Sequence, residues 1–277
     1  VHGEEEPYSI FNNVGAWPVQ RTADRKQDAV YIEVWPPYDR YASIAQLIRD
    51  ARTYAKDDKS IILAAYLKPF REGKREKALP AAKLLMGSIV SNGATHLLTG
   101  ENQTALTQGY YSDYTKFSDS EAEAIRRYYD YMIRYENLFF DPELQDVTMT
   151  HTGWDNYEYQ CPSHKVSSYG EAGKIWMILR EKDYRKCIYL LNLCGQSEDY
   201  WNEGKEEPNI QKDIKFTVQV DTPVEKICFS TPDGENMDAI ELSFTERATK
   251  TGKFIDFTVP SLNYWTTIWI DTRKETI

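Results

Sequence analysis

A single carboxylate stands among apolar residues at the end of the run Ala29–Ile32. Glu33 is followed by Val34 and Trp35, so its side chain is flanked by groups that exclude water. Because burial disfavours the charged form of a carboxyl, we expect the pKa of Glu33 to be raised and the group to stay protonated near neutral pH. Such a carboxyl can protonate a glycosidic oxygen. The alternative is a structural role, in which Glu33 pairs with a Lys or Arg at the strand end.

Side chains suited to sugar binding stand at the ends of the neighbouring apolar runs. Amides and carboxylates bind hydroxyl groups, and aromatic rings pack on the apolar faces of sugars. The predicted substrate-binding residues are Asn13, Trp35, Tyr66, Glu101 and Asn102. Tyr110 and Tyr111 follow the last two along the chain, whereas we expect Lys68 to be a solvated loop residue.

The sequence lacks the patterns of several other functional classes. Its four histidines show no metal-ligand spacing, and no G-x-S-x-G or phosphate-loop motif occurs, so we expect neither a metal nor another cofactor. The net charge of −10 argues against nucleic acid as a partner, because neutralising phosphates needs a basic surface. No run approaches about 18 consecutive apolar residues, so we expect no membrane insertion.

The elements that position the candidate residues begin with a parallel-sheet pattern over residues 1–145. Short apolar runs predict buried strands at Tyr8–Val14, Ala29–Trp35, Ser60–Tyr66 and Thr95–Thr99. Helical spacing between them gives one apolar face at Ile44, Leu47, Ile48, Ala51, Tyr54 and Ala55, and another at Ala78, Ala81, Ala82, Leu85 and Ile89. Ser120 and Glu123 predict a capping box for a third helix, whose apolar face holds Ile125, Tyr128, Tyr129, Met132 and Phe139.

The pattern changes after residue 145. Residues 146–173 are mostly polar, include Trp154, and predict a connecting segment. Residues 174–277 predict an all-β antiparallel sandwich, in which the expected strands are Lys174–Leu179, Cys187–Leu193, Ile214–Val220, Val224–Ser230, Phe254–Val259 and Trp265–Ile270. We favour a packing role between domains for Trp201 over an exposed sugar platform, and core positions for Trp265 and Trp269.

The four cysteines favour buried free thiols, since no C-x-x-C pair occurs. A Cys187–Cys228 bridge between strands stays open as the alternative. The first part of the chain is also open to two interpretations, because four β/α units fit either a small open α/β domain or one half of a barrel.

The residues at the strand ends resemble those of glycoside hydrolase family 66. The similar segments keep their order over nearly the whole chain and are Phe11–Gly15, Val30–Pro37, Ile62–Tyr66, Gly93–His96, Gly100–Asn102, Tyr128–Tyr131, Tyr135–Leu138, Gly170–Trp176, Leu191–Leu193 and Ser230–Asp233. Each segment alone is a weak signal, and the shared order makes the set specific.

The resemblance implies a (β/α)8 barrel followed by a β-sandwich, in enzymes that act on α-1,6-linked glucans such as dextran and isomaltooligosaccharides. It implies that Glu33 is the general acid/base. The nucleophile of the family is an Asp on an earlier strand, in a His-x-Asp type motif, and no such motif precedes Glu33. The four predicted strands then correspond to strands five to eight, so the resemblance favours the C-terminal half of a barrel. The N-terminal half, with the nucleophile, is an expected partner.

A retaining mechanism needs two carboxyl groups about 5 Å apart, one to protonate and one to attack. We therefore predict that this polypeptide alone is inactive and that its open sheet edges favour association. Within the family we favour a retaining endo-dextranase over a cycloisomaltooligosaccharide glucanotransferase. The glucanotransferases carry an inserted carbohydrate-binding module late in the barrel, and the segment Lys68–Ala78 is too short for one.

Two further functions stay open. The first is a non-catalytic glucan-binding chain, in which the aromatic residues hold the sugar and no bond is cleaved. The second is an inverting hydrolase in which Glu101 serves as the base, which requires about 6.5–9.5 Å between its carboxyl and that of Glu33. The resemblance also implies an extracellular, cell-surface or periplasmic location, because a glucan polymer is met outside the cytoplasm.

Overall fold

The computed structural model describes residues 8–55, 59–109, 115–153 and 156–273. Tyr110, Tyr111 and Trp154 lie outside these ranges. Within the described ranges, no helix is both long enough and apolar enough to cross a membrane.

The first part of the chain forms a four-stranded parallel sheet. Its strands lie side by side in chain order and are β1 (Ile10–Val14), β2 (Ala29–Glu33), β3 (Ser60–Ala64) and β4 (Thr95–His96). Each strand lies inside a predicted strand but is shorter. The predicted strands are too long because apolar, buried residues continue past the strand ends. Val34, for example, is only 3% exposed but lies in the loop after β2.

The register of the parallel sheet sorts its side chains onto two faces. Glu33 on β2 pairs with Val14 on β1 and Ala64 on β3, while Tyr31 pairs with Asn12. Because successive side chains of a strand point to opposite faces, these residues share one face of the sheet. The other face buries a set of aliphatic side chains, which are Val30, Ile32, Ile61 and Leu63.

Helices follow each strand and pack in the same core as the aliphatic face. They are α1 (Val19–Thr22), α2 (Tyr41–Ala55), α3 (Ala78–Ser91), α4 (Asp119–Arg134) and α5 (Glu136–Phe139). Short 3-10 turns lie at Lys68–Phe70, Arg75–Lys77 and Glu101–Gln103. The predicted apolar face of α2 is buried except at Tyr54, where the prediction was wrong because this side chain is 38% exposed.

Helix α4 begins two residues earlier than the sequence predicted. The capping box is Ser118 with Glu121: the Glu121 amide donates to the Ser118 hydroxyl at 3.3 Å, and the Ser118 amide donates to the Glu121 carboxylate at 2.7 Å. The prediction of Ser120 with Glu123 was therefore wrong. Both pairs match the same sequence motif. Arg75 favours the pair Ser118 and Glu121, because its guanidinium binds the Glu121 carboxylate at 2.6 and 2.8 Å.

The second part of the chain consists of antiparallel sheets. Its strands are β5 (Gln145–Asp146), β6 (Tyr159–Gln160), β7 (Val166–Ser167), β8 (Ile175–Lys182), β9 (Arg185–Asn192), β10 (Gln211–Val220), β11 (Val224–Ser230), β12 (Ile240–Leu242), β13 (Phe244–Thr249), β14 (Gly252–Leu262) and β15 (Trp265–Thr272). One sheet has the order β13-β14-β10-β6, and the other has the order β12-β11-β15-β9-β8-β5, with β7 parallel to β8. A hydrophobic core that includes Ile188, Phe216 and Ile268 joins strands of both sheets.

Short strands extend the antiparallel sheets into the segment predicted to be a connection. Within residues 146–173, β6 pairs with β10 and β7 pairs with β8, while β5 at its border pairs with β8. The Thr148 hydroxyl also accepts a hydrogen bond from the Leu179 amide at 2.9 Å. This segment is thus part of the sheets. Its polar side chains give no strand pattern in the sequence, although its backbone pairs with β8 and β10.

Strand β15 is buried on both faces and joins the two parts of the chain. Ile268 and Ile270 face the core between the antiparallel sheets, whereas Trp265 and Trp269 lie in a second core shared with α3, α4 and α5. Trp265 packs edge-on against Tyr131, with ring centroids 5.0 Å apart. The predicted core positions of Trp265 and Trp269 are confirmed, and much of the aromatic content of the sequence packs at this junction.

The register also settles the state of the cysteines. Cys187 on β9 and Cys228 on β11 both pair with Trp269 on the intervening strand β15. Two strand spacings, or about 10 Å, separate them, which is beyond the reach of a disulfide. The bridge is thereby excluded, and all four cysteines are free thiols.

Candidate active site

Glu33 lies at the C-terminal end of β2, on the face of the parallel sheet that carries Tyr31. It is 7% exposed. The Trp35 indole Nε1–H donates to Oε2 of Glu33 at 3.0 Å, and the Gly15 amide donates to its backbone carbonyl at 3.0 Å. A carboxyl held through one oxygen and its backbone has a defined orientation, which proton transfer to a substrate requires.

Two tyrosines adjoin the carboxyl of Glu33. Burial, the interaction with the Tyr31 hydroxyl and the nearby charge of Glu33 hold the pKa of Tyr66 well above its usual value. Burial also raises the pKa of Tyr31. Both phenols are therefore neutral at physiological pH, and Tyr66 offers a hydrogen-bond donor beside the carboxylate.

Trp35 and Tyr66 form an aromatic pair beside Glu33. Their ring centroids are 5.7 Å apart and the rings are inclined at 54°. The backbone of Gly109 packs against both rings, since a Cβ at this position would lie 2.8 Å from the Trp35 ring and 3.2 Å from the Tyr66 ring. Only glycine leaves room for this packing, which fixes both rings in place.

A pocket of about 390 Å³ opens between these rings and the second part of the chain. This volume lies in the usual range of small-ligand pockets, about 300–1,000 Å³. Its walls are Val34, Trp35, Pro36, Tyr38, Asp39, Tyr66, Lys68, Arg71, Thr107, Gln108, Gly109, Trp201 and Asn202. The wall combines aromatic rings, the amides of Gln108 and Asn202, and the charged residues Asp39, Lys68 and Arg71, of which the two cations pair with Glu203 and Glu72. Rings and amides are the chemistry expected of a site for a neutral sugar.

The structure does not bring Asn13 into this pocket. Asn13 pairs with Ile32, one position out of phase with Glu33, so its side chain lies on the opposite face of the sheet and is 1% exposed. Its amide nitrogen donates to the Tyr31 carbonyl at 2.7 Å, and its oxygen accepts from the Thr22 hydroxyl at 2.7 Å. With its amide bound inside the protein, Asn13 has a structural role, and the predicted contact with substrate is not supported.

Glu101 and Asn102 are also separate from the pocket. Both are exposed in the 3-10 turn after β4, where Asn102 has a positive φ of 54°. Neither side chain lines the pocket. Lys68, by contrast, lines the pocket and pairs with Glu203 at 2.5 Å, and its side chain is 40% exposed, which agrees with the predicted solvated residue and adds an ionic partner.

Several residues of the pocket wall were not predicted to bind substrate, and three of them are far from Glu33 along the chain. Gln108 lies in a loop, and Trp201 with Asn202 lies in the connection between β9 and β10, far along the chain from Glu33. Trp201 is 3% exposed and its indole nitrogen donates to the Tyr38 carbonyl at 2.7 Å. Its predicted packing role is confirmed, and the idea of an exposed platform is wrong.

The described residues supply one carboxylate to the Glu33 face of the parallel sheet. The strand residues that share this face by register are Ile10, Asn12, Val14, Ala29, Tyr31, Glu33, Ser60, Ile62, Ala64 and Thr95. Elsewhere in the described ranges, no group of three or more His, Cys, Asp or Glu side chains is arranged to hold a metal ion. The geometry fits acid or base chemistry by Glu33, together with a second group from outside these strands.

Similarity to known proteins agrees with this chemistry. Two cycloisomaltooligosaccharide glucanotransferases of Niallia circulans are 28% and 26% identical over 193 and 191 residues, which is 69% and 68% of this chain but 19% of each relative. The crystal structure of a Paenibacillus sp. cycloisomaltooligosaccharide glucanotransferase, complexed with cycloisomaltoheptaose, shares the fold with a TM-score of 0.82 at 15% identity. That match covers 94% of this chain and 55% of the other. The model of glycosyl hydrolase family 66 matches residues 3–269, and the chain therefore belongs to this family.

Proposed function

We propose that this chain carries the general acid/base of a retaining glycosidase that acts on α-1,6-linked glucan. The observation that supports this most directly is Glu33, buried at a strand end and held by the Trp35 indole beside a pocket of aromatic rings and amides. In a retaining mechanism this carboxyl protonates the leaving oxygen and then activates the water that releases the sugar. Family membership supports a glucan as the substrate.

The four parallel β/α units are proposed to form one half of a (β/α)8 barrel. The sheet ends at β1, which has no partner on its outer side among the described residues. Large apolar side chains stand exposed on and around this strand, and they are Tyr8, Ile10, Phe11, Val14 and Trp17. An unpaired strand with such side chains needs a cover, and four further strands that close the barrel would supply it.

The partner half is proposed to carry the nucleophilic Asp. Retention requires a second carboxyl about 5 Å from the first, and Glu33 is the carboxylate that the described strands place on its face. We accordingly expect the chain to leave dextran intact by itself. Activity should appear when a polypeptide with the other four β/α units of a family member is added, which gives a complemented enzyme.

The role of Glu33 is tested in the complemented enzyme. Glu33→Gln keeps the shape of the side chain but removes the transferable proton, and it should lower kcat by about 10²- to 10⁴-fold. Glu101→Gln is the matched control and should retain full activity, because Glu101 lies in an exposed turn. Equal losses in both variants would instead favour the inverting mechanism. Proton NMR of the first product provides a second reading, since retention gives the α-anomer.

Two reaction outcomes are proposed, in order of preference. Between β3 and α3 the chain has only short turns, at Lys68–Phe70 and Arg75–Lys77, which leaves no space for an inserted module and favours an endo-dextranase. The two glucanotransferase relatives favour transfer and cyclisation. Chromatography of the products distinguishes them, because hydrolysis yields linear isomaltooligosaccharides and the transferase yields cyclic ones.

A non-catalytic glucan-binding chain is the remaining alternative. It would bind dextran in the complemented form without releasing reducing ends. We also propose an extracellular or cell-surface site of action, because the expected polymer is found outside the cytoplasm. Fractionation of the producing cells checks this location.

A further inference from the structure

The pocket beside Glu33 is built by both parts of the chain. Trp35 and Tyr66 belong to the parallel-sheet part, while Trp201 and Asn202 belong to the connection 193–210 between β9 and β10. An antiparallel strand connection therefore forms one wall of a pocket whose opposite wall carries Trp35, the residue that donates a hydrogen bond to Glu33. A ligand in this pocket would therefore lie beside the indole that binds Glu33.

The connection 193–210 is held firmly against the loop that follows Glu33. The Trp201 amide donates to the Asp39 carbonyl at 3.0 Å, and the Tyr41 amide donates to the Asp199 carbonyl at 3.0 Å. The Lys205 side chain, with 0% exposure, binds Glu198 at 2.6 Å and so links two residues within the connection. A wall that is fixed in advance loses little entropy when a ligand binds.

Two amide side chains on the pocket wall form no hydrogen bond with another described residue. Asn202 and Gln108 are half-buried, and neither side chain has a hydrogen-bond partner among the described residues. Other amides of the same region are used within the protein: Gln196 binds the Glu206 backbone, and Asn192 binds the carbonyls of Asn209 and Asn263. The contrast marks Asn202 and Gln108 as groups available to a ligand.

The ligand chemistry follows from the groups on the wall. Each amide offers two N–H donors and a carbonyl acceptor, which match the donors and acceptors of vicinal sugar hydroxyls. The Trp35 and Tyr66 rings offer apolar faces. The two cations of the wall, Lys68 and Arg71, have their charges balanced by Glu203 and Glu72. The pocket therefore fits a neutral pyranose unit better than an anionic ligand.

We propose that Asn202 and Gln108 bind the hydroxyl groups of one glucose unit of an α-1,6-glucan, so that the connection 193–210 forms a substrate subsite beside Glu33. This inference rests on the proposed function and extends it to a part of the chain that lies outside the β/α units. Asn202 acts here as a specificity-determining residue, because an amide on a fixed wall selects sugars whose hydroxyls reach it.

The test uses the 277-residue chain and isomaltotriose. Isothermal titration calorimetry gives Kd for the unmodified chain and for Asn202→Ala and Gln108→Ala, each of which should weaken binding about 3- to 10-fold, the effect of one lost neutral hydrogen bond. Asn209→Ala is the matched control, because Asn209 lies in the same connection but outside the pocket, and it should leave Kd unchanged. Asn202→Asp, which keeps the size and the acceptor, should give an intermediate Kd.

A nitrogen-15 NMR titration separates direct contact from altered folding. The side-chain NH₂ signals of Asn202 and Gln108 should shift as isomaltotriose is added, and that of Asn209 should not. Unchanged Kd in both alanine variants, or NH₂ signals that stay in place, would overturn the subsite. So would a lack of isomaltotriose binding by the unmodified chain. The proposed function is judged separately, by loss of cleavage in Glu33→Gln of the complemented enzyme, so each idea can fail while the other stands.

Discussion

Trp35 binds the candidate acid through a single hydrogen bond, and this bond is a residue-scale test of how Glu33 is oriented. Trp35→Phe keeps an aromatic ring but removes the N–H that donates to Oε2 at 3.0 Å. We expect kcat of the complemented enzyme to fall about ten-fold, with a smaller change in KM, because a lost orienting bond acts mainly on the proton-transfer step. Tyr184→Phe, at an exposed ring between β8 and β9, is the control and should leave kcat unchanged. A higher KM at constant kcat would mean that Trp35 only binds sugar.

His96 gives a second prediction at the residue scale, and it concerns stability. Burial lowers the pKa of His96 from 6.5 to about 4, and its Nε2–H donates to the Ala65 carbonyl at 3.0 Å. Between these two pH values the unfolded chain takes up a proton that the native histidine does not. The free energy of unfolding should therefore be unaffected by this group above pH 6.5 and should fall by about 1.4 kcal/mol per pH unit down to pH 4.

Urea unfolding at a series of pH values checks the contribution of His96. His96→Gln should remove this part of the pH slope, whereas His164→Gln, at a half-exposed histidine, should keep it. Parallel curves for the unmodified chain and His96→Gln would show that the buried imidazole does not control acid sensitivity.

The residue scale also shows why some site residues could be predicted and others could not. Glu33 ends β2, while Trp35 and Tyr66 come shortly after β2 and β3, and strand ends are recognisable from apolar runs. Asn13 also lies near a strand end, but the pairing of Asn12 with Tyr31 places it on the face opposite Glu33, and the apolar run alone does not report this register. Asn202 had no signal at all, since a contact between distant segments leaves no periodic pattern in either one.

At the scale of elements, two glycines before β8 give a paired prediction. Gly170 and Gly173 both have positive φ, at 75° and 78°. A Cβ at Gly170 would lie 2.7 Å from the Tyr41 Cβ and 3.2 Å from the Trp176 ring, whereas one at Gly173 would meet nothing within 4 Å. Gly173→Ala should cost only the backbone strain, about 1–2 kcal/mol, and Gly170→Ala should cost roughly 2–5 kcal/mol because overlap is added.

Thermal unfolding of the two glycine variants measures this difference. Because the backbone strain is common to both, the gap between their free energies of unfolding reports how tightly the turn packs on α2. Equal losses would show that Tyr41 and Trp176 move aside without a cost.

Elements were easier to predict than their limits. The apolar runs located the parallel strands, but the capping box of α4 was shifted, because Ser118 and Ser120 both head the same motif and only the contact of Glu121 with Arg75 decides between them. Strand β13 was missed since nearly all of its residues are exposed and give no alternation. Its position is set by pairing with β14, which sequence periodicity does not report.

At the scale of the whole molecule, the exposed side of β1 predicts association. Ile10 is 51% exposed on a strand whose outer side is unpaired among the described residues. Ile10→Lys should reduce self-association of the chain, because a charge on an edge strand opposes pairing with another copy. Ile133→Lys is the control, as it changes an isoleucine that is 64% exposed on α4. Sedimentation velocity over a range of concentrations measures the self-association of both variants. Equal effects would show that association does not depend on the edge of β1.

Helix α3 belongs to two environments at once. The core that contains Ile32 and Leu63 of the parallel sheet continues through α3 to Leu191 and Trp265 of the antiparallel sheet. At Gly87 the helix approaches so closely that a Cβ would lie 2.7 Å from Leu191. The parallel-sheet part consequently has no interior of its own, because its core continues into one face of the antiparallel sheets. Differential scanning calorimetry should show a single heat-absorption peak, and a protease should find no site between the sheets that releases a stable C-terminal fragment.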